Sequence, residues 1–277
     1  MGASPRPLGS ILTDVDARAG LNFTSAAARR LFVSRHAEGW GVDPVRSTKF
    51  LTSSQTLMIN LFGLLEESAS WSARVLRIVL RRPDIGEVNW VKIEYAPRRR
   101  SAYLDDSTRL DVLISVTMRG GLEELLVVEI KYSDRFNSRR VDIDRPPYRQ
   151  LASVQNIWRD VDNVLNDAEV NQLVRCHALA VALSGELADR RSSTPTLVVL
   201  HHDADVGSSA IVGRYRTHMH QPVLVQTVTH REFVAALHAG AESRAQRQAA
   251  RTLQLRYVDQ AESELAWRAY LARCHLR

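Results

Sequence analysis

The sequence contains no apolar run near the ~18 residues that a membrane-spanning helix requires, so a transmembrane protein is not expected. Cysteine is scarce. Cys176 and Cys274 are too few and too far apart for a disulfide framework or a cysteine zinc site, which suits reduced, buried thiols in a cytoplasmic protein. The opening stretch MGASPRPLGS lacks the continuous apolar segment of a secretory signal. Arg6 stands where a myristoylation signal wants Ser or Thr. There is no Gly-rich phosphate loop, no G-x-S-x-G and no H-E-x-x-H. Internal repeats and low-complexity tracts are also missing.

What is present is an ordinary globular balance: 277 residues, 45% hydrophobic and 25% charged. That length suits one large domain, or one with a helical appendage. The net charge is +6 and the excess is mostly arginine, which meets phosphate bidentately. The basic residues cluster as RRPD (81–84), APRRRSAY (96–103) and RFNSRRVDIDRPPYR (135–149). Clusters of this kind suit a nucleic-acid partner, with Arg98, Arg99, Arg100, Arg139 and Arg140 as candidate contacts. Solvated loops are the alternative reading.

Residues 1–50 are mixed in character, with a short helical pattern around 25–37, and read as an N-terminal extension. TSSQTLMINLFGLLEES follows, with Ser53 or Ser54 as N-cap and apolar residues on nearly all sides. The pattern predicts that this helix continues to about Leu80, where RRPD stops it. Strands are expected over 88–96, 109–117 and 123–133, the last two joined by the glycine turn MRGG. Two helical patterns then span about 147–165 and 169–185, followed by strands near 194–202 and 222–230. Residues 231–277 are helical with a break at Gly240. The order predicts an α/β sandwich with a mixed central sheet. The core domain is expected over 51–235, with 236–277 as a helical segment that packs on the core or on a partner subunit.

The hairpin carries the chemistry. If the turn centres on Gly120, Asp111 lies across from Glu129, and Lys131 follows on the same strand face. A slip of one residue would turn Asp111 away. Two carboxylates this close repel, and burying them unpaired costs several kcal/mol. A divalent cation removes the conflict; Mg²⁺ takes oxygen ligands, often one or two carboxylates plus waters and a substrate phosphate. The Ile130 carbonyl is a further candidate ligand, and Lys131 is placed to orient a water for attack on phosphorus. The alternative is an ion pair of Lys131 with one acid on a half-exposed face. The flanking runs LLVV and VLI argue instead for central strands buried on both faces.

An Asp, a β-hairpin and then Glu-x-Lys, with a helix before and helix–strand after, resembles the PD-(D/E)xK nuclease superfamily, the restriction-endonuclease-like fold. SSQTLMINLFGLL (53–65), VKIEY (91–95), RLDVLISV (109–116), VVEIKYS (127–133) and NQLVRCHALA (171–180) look like the blocks of one branch, restriction-endonuclease-like proteins with an S-S-Q first helix. These blocks span about 53–205, and Leu110 stands where a Pro before the first Asp is expected. The resemblance implies an αβββαβ core, Asp111 and Glu129 as metal ligands, and Lys131 as the catalytic lysine. It implies Mg²⁺, with Mn²⁺ able to substitute, and DNA as the substrate, cut to 5′-phosphate and 3′-hydroxyl ends. Such folds often add an acid from the first helix. Glu66 is the candidate, on one stripe with Gln55 and Phe62, and Gln55 is a candidate for contact with phosphate or the metal's water. Gln172 and Arg175, neighbours on a later helix, are candidates to face the site.

Two functional classes remain: a restriction or phage-defence endonuclease, and a nuclease-fold binding or scaffold module without catalysis. A repair or RNA nuclease of the same fold differs from the first only in substrate. A double-strand cut requires two active sites, so a homodimer is plausible, with Leu253, Tyr257, Leu265 and Trp267 available on the C-terminal helices. HHDAD (201–205) and THMH (217–220) hint at a histidine metal site, but adjacent His201 and His202 point to opposite faces of a strand. Residues 1–50 and 203–222 are candidates for specificity segments.

Overall fold

The computed structural model describes residues 10–39, 41–133, 136, 140–186 and 193–259, together with 261, 264, 265 and 268. Branched aliphatic residues build five strands: β1 (Ile85–Tyr95), β2 (Leu110–Met118), β3 (Glu123–Ile130), β4 (Thr196–His201) and β5 (Val225–Thr229). They lie side by side in that order. The first three are antiparallel and the last three parallel, so the sheet is mixed, as expected. Gly121 takes φ +79° in the turn between β2 and β3, a conformation glycine adopts without a Cβ clash. The resulting register pairs Val112 with Val128 and Ser115 with Leu125, the pairing that places Asp111 beside Glu129.

Strand alternation sorts the side chains into two layers. Val112, Ile114, Val116, Leu126, Val128 and Ile130 face one core. Leu113, Leu125 and Val127 face the other. The first core is covered by α2 (Ala26–Ala37), α4 (Ser54–Glu66), α5 (Ala69–Val79), α10 (His230–Ala239) and α11 (Arg244–Tyr257). The second lies under α6 (Pro146–Gln155), α7 (Val161–Asn166), α8 (Asn171–Glu186) and α9 (Val206–His218). Short helices α1 (Asp14–Ala19) and α3 (Pro44–Lys49) precede α4. Helix α4 is the central piece. Ser53 caps it by accepting from the Thr56 amide at 3.3 Å, and Leu57, Ile59 and Phe62 are fully buried. Truncating one of these to Ala would cost about 2–5 kcal/mol.

Four sequence expectations change. The helix expected to run from Ser53 to Leu80 is two, because Ser68 turns extended (φ −142°) between α4 and α5. The pattern over 147–165 is also two helices, separated where Asn156 takes φ +47°. Helix α8 continues to Glu186 rather than ending at Gly185. The segment 203–222, a candidate specificity segment with no helix expected in it, holds the well-formed helix α9, capped by the Asp205 carboxylate on the Ser208 amide at 2.9 Å. Leu253 and Tyr257 are buried within this chain, while Leu265 is exposed. Trp267 lies outside the described residues.

Candidate active site

The two antiparallel registers converge on one row. On β2–β3, Val112 pairs with Val128, so the next residues along, Asp111 and Glu129, oppose each other. On β1–β2, Ile93 pairs with Val112 and Tyr95 with Leu110, which sets Glu94 opposite Asp111. Three carboxylates, Glu94, Asp111 and Glu129, thus stand in line across three strands. Glu94 was not singled out from the sequence, although VKIEY contains it. It sits at φ +47°, which is uncommon for a residue with a side chain and is the kind of outlier that gathers at functional sites.

Glu129 and Lys131 are both buried, at 2% and 4% exposure, and they meet directly. Lys131 Nζ lies 2.8 Å from Glu129 Oε1. Gln172, on α8, binds both: its Nε2 donates to Glu129 Oε1 at 2.5 Å, and its Oε1 accepts from Lys131 Nζ at 3.1 Å. The Cys176 thiol, one turn along α8, lies 3.4 Å from Glu129 Oε2. Phe136 places its ring 4.6 Å from Lys131 Nζ, which helps hold the ammonium in a nearly dry setting. Asp111 Oδ2 accepts the Ile130 amide at 2.8 Å. Ile130 therefore touches Asp111 through its N–H.

The electrostatics are unbalanced. Burial pushes the Asp111 carboxyl well above its ordinary value, and the charges of Glu129 and Glu94 push it further, with Lys131 and the Ile130 amide opposing. Burial likewise raises Glu94, against the Gln55 hydrogen bond and the Arg109 charge. The Cys176 thiol is pushed up by burial and by Glu129 and stays protonated, as a donor to the carboxylate. These are the like-charge and desolvation effects expected where acids share a site.

Gln55 reaches the row from the N-terminus of α4. Its Nε2 donates to Glu94 Oε1 at 2.6 Å and to the Gly41 carbonyl at 3.0 Å. Its Oε1 accepts from the Asp43 amide at 2.9 Å and from Ser47 Oγ at 2.8 Å. Gly41 takes φ +53°, a conformation that favours glycine. The segment before residue 51 is thereby tied to the site.

The remaining expected residues disperse. Glu66 is at the far end of α4, about 16 Å from Gln55 at 1.5 Å per residue. It is exposed and lines a groove with Arg30, Arg35, Val91 and Ile93. Arg175 makes a bidentate pair with Asp106, at 2.6 and 3.1 Å. Asp106 also accepts from Tyr148 at 2.8 Å and from Thr108 at 2.7 Å. This knot fastens the chain between β1 and β2, where Arg98 and Arg99 are exposed and Arg100 half-buried. Arg140 is exposed, and Arg139 lies outside the described residues. The histidines do not assemble: His218 pairs with Asp167 at 2.9 Å, while His201 bonds the His202 carbonyl at 2.9 Å.

Among the described residues, no group of three or more His, Cys, Asp and Glu is arranged to hold a metal ion. The donor chemistry of the row nevertheless fits a hard divalent cation. Its acids offer oxygen only, which suits Mg²⁺ or Mn²⁺, and burial leaves Asp111 with surplus negative charge around it. Asp111 and Glu129 are the residues that would hold such an ion.

Paired acids and a lysine stand at the ends of central strands, in a mixed sheet between helical layers. The chain belongs to the PD-(D/E)XK nuclease superfamily, whose sequence model matches residues 1–259. No curated protein and no solved structure matches it. Nucleases of this superfamily generally use divalent metals. No described helix is long and apolar enough to cross a membrane.

Proposed function

We propose that this protein is a Mg²⁺-dependent endodeoxyribonuclease of the restriction or phage-defence kind, working in the cytoplasm. The observation that supports this reading best is the contact of Lys131 with Glu129 in line with Asp111. When bound by Asp111 and Glu129, a divalent cation would supply an activated water and offset the charge that develops on the phosphoryl group. Lys131 Nζ, fixed between Glu129 and Gln172, orients the water and steadies the developing negative charge. Gln172 and Cys176 hold the Glu129 carboxylate in place. The exposed Arg98 and Arg99 provide phosphate contacts that set register along DNA, with Arg100 and Arg140 as further contacts. A homodimer would supply the second site that a double-strand cut needs.

Supercoiled plasmid with Mg²⁺ or Mn²⁺ tests this. Wild type should nick or linearise it, and Lys131→Ala should not. Asp111→Ala and Glu129→Ala should abolish Mg²⁺ binding in calorimetry. Identical background nicking by wild type and Lys131→Ala would leave the nuclease-fold binding module in its place; cleavage of RNA but not DNA would change the substrate alone.

A further inference from the structure

The main chain at Lys131 lies just past the end of β3 and is fastened on both sides. Its amide donates to the Leu200 carbonyl of β4 at 2.8 Å. Its carbonyl lies 3.1 Å from His230 Nε2. His230 opens α10, directly after β5, so a group from the other edge of the parallel half-sheet reaches back to the residue that carries the candidate catalytic amine. The imidazole is 1% exposed. A carbonyl only accepts, which fixes the proton on Nε2 and leaves Nδ1 bare. That Nδ1 is buried and has no hydrogen-bond partner among the described residues.

An orphaned buried nitrogen costs free energy that an apolar side chain of the same size would avoid. The Nε2–carbonyl bond is the return for that cost. The surroundings keep the ring neutral. Burial and the neighbouring His202 and His201 lower its pKa to about 4, against Asp203 and the Lys131 carbonyl. The ring meets His202 edge-on at 5.8 Å and Tyr132 at 5.7 Å. The facing charged and titratable groups are therefore His201, His202, Asp203 and Tyr132, and Asp203 is itself paired with Arg231 at 2.5 Å.

We propose that His230 is a positioning residue for Lys131: its Nε2–H bond to the Lys131 carbonyl fixes the main chain from which the amine reaches Glu129. This rests on the nuclease reading of the site, and it concerns a residue that touches neither substrate nor metal. Without the bond, the main chain at Lys131 is held through its amide and no longer through the His230 contact to its carbonyl, and the amine loses its alignment between Glu129 and Gln172.

The test compares His230→Leu, which fills the space, with His230→Gln, whose amide can restore an N–H near the place of Nε2. Initial rates of plasmid cleavage give kcat and KM, thermal melting gives stability, and crystal structures give the Lys131 Nζ–Glu129 distance. Misplacement by an ångström is worth about 100-fold in rate, so His230→Leu should lose roughly that factor in kcat with KM nearly unchanged. His230→Gln should recover most of the loss even if both variants melt earlier. In the His230→Leu crystal the Nζ–Glu129 contact should be broken. Full kcat in His230→Leu, or equal loss in both variants with the Lys131–Glu129 contact intact, overturns the proposal. If wild type cleaves nothing, the nuclease reading fails and the crystal distances still decide whether His230 sets Lys131.

Discussion

Strand β3 carries two buried glutamates, one near each end, and they live under opposite rules. Glu124, 4% exposed, meets both nitrogens of the Arg82 fork at 2.8 and 3.0 Å. It also accepts from Thr196 at 2.7 Å and Ser193 at 3.2 Å. The guanidinium, which also meets the exposed Asp84 at 2.9 Å, pairs with Glu124 through both nitrogens, and each Glu124 carboxylate oxygen has partners. Glu129, 2% exposed, shares a single lysine with a row that also holds Asp111 and Glu94. Arg109 and Arg35 draw Glu94 from its other side, yet Asp111 remains pushed well above its ordinary pKa. A buried acid that is neutralised holds the fold together. Acids left in surplus mark a place that takes up positive charge from outside.

The widest separation between the two ends should be in catalysis. Lys131→Ala and Asp111→Asn should each lower cleavage by about 10³-fold or more, in the range of a lost proton-transfer or oxyanion group, as read from initial plasmid-cleavage rates. Lys131→Arg should fare little better, because a guanidinium is larger and does not give up its proton. The composition sharpens the point. The chain uses lysine at only three positions, 49, 92 and 131, against 34 arginines, and one of the three lies between Glu129 and Gln172. Wild-type rates in Lys131→Arg would show that any cation serves there, and the contrast with Arg82 would vanish.

At the other end the order reverses. Glu124→Ala leaves Arg82 with the more exposed Asp84 alone, at 2.9 Å, and should cost about 3 kcal/mol, the low end for breaking a buried pair, because Arg82 keeps that partner and 22% exposure. Urea unfolding measures this, while cleavage per folded molecule should match wild type. A variant that stays stable but cuts poorly would move Glu124 into the functional class.

The surplus charge also has a pH signature. The folded-state pKa of Asp111 is raised, so the native protein holds that proton more tightly than the unfolded chain does. Stability from this group is therefore greatest below the unfolded value of about 3.9 and declines as pH rises through the folded pKa. At neutral pH without metal, Asp111→Asn should melt higher than wild type, by roughly 2–4 °C for each kcal/mol recovered. Adding Mg²⁺ should raise the melting temperature of wild type and leave the variant unmoved. An equal Mg²⁺ shift in both proteins would place the ion elsewhere.

How much of this was legible in the sequence follows from sequence distance. The Asp111–Glu129 pairing could be counted from a glycine turn because the hairpin is short and regular. Glu94 could not be counted in the same way, since β1 reaches β2 through a long connection and its register shifts twice, between Ile85 and Glu87 and between Val88 and Trp90. Glu66 was chosen because helical stripes give direction around the axis but not position relative to the sheet. Gln172 was legible as a residue facing the site. Its neighbour Arg175 was not, because its partner Asp106 is 69 positions away. Helix α9 escaped because its apolar residues do not gather into one stripe and its start is set by the Asp205 cap.

The smallest effect is expected at Gln55, and it decides to which side of the comparison Glu94 belongs. The Gln55 amide makes four hydrogen bonds, three of them to the segment before α4 and one to Glu94. Gln55→Ala should lose about 1–2 kcal/mol, since these half-buried neutral bonds are worth roughly 1 kcal/mol or less apiece. If Glu94 is a structural acid like Glu124, balanced by Arg109, the loss should appear in unfolding alone, with unchanged cleavage. If it acts with Asp111 and Glu129, release of its carboxylate should also lower kcat, by about tenfold for a modest misplacement, with KM held. The location of Glu94 in line with Asp111, at a positive φ that its own local sequence does not favour, argues for the second outcome. A strained residue held by a neutral amide gains little for the fold, whereas its carboxylate, at the end of a row already in surplus, adds to the pull on a cation.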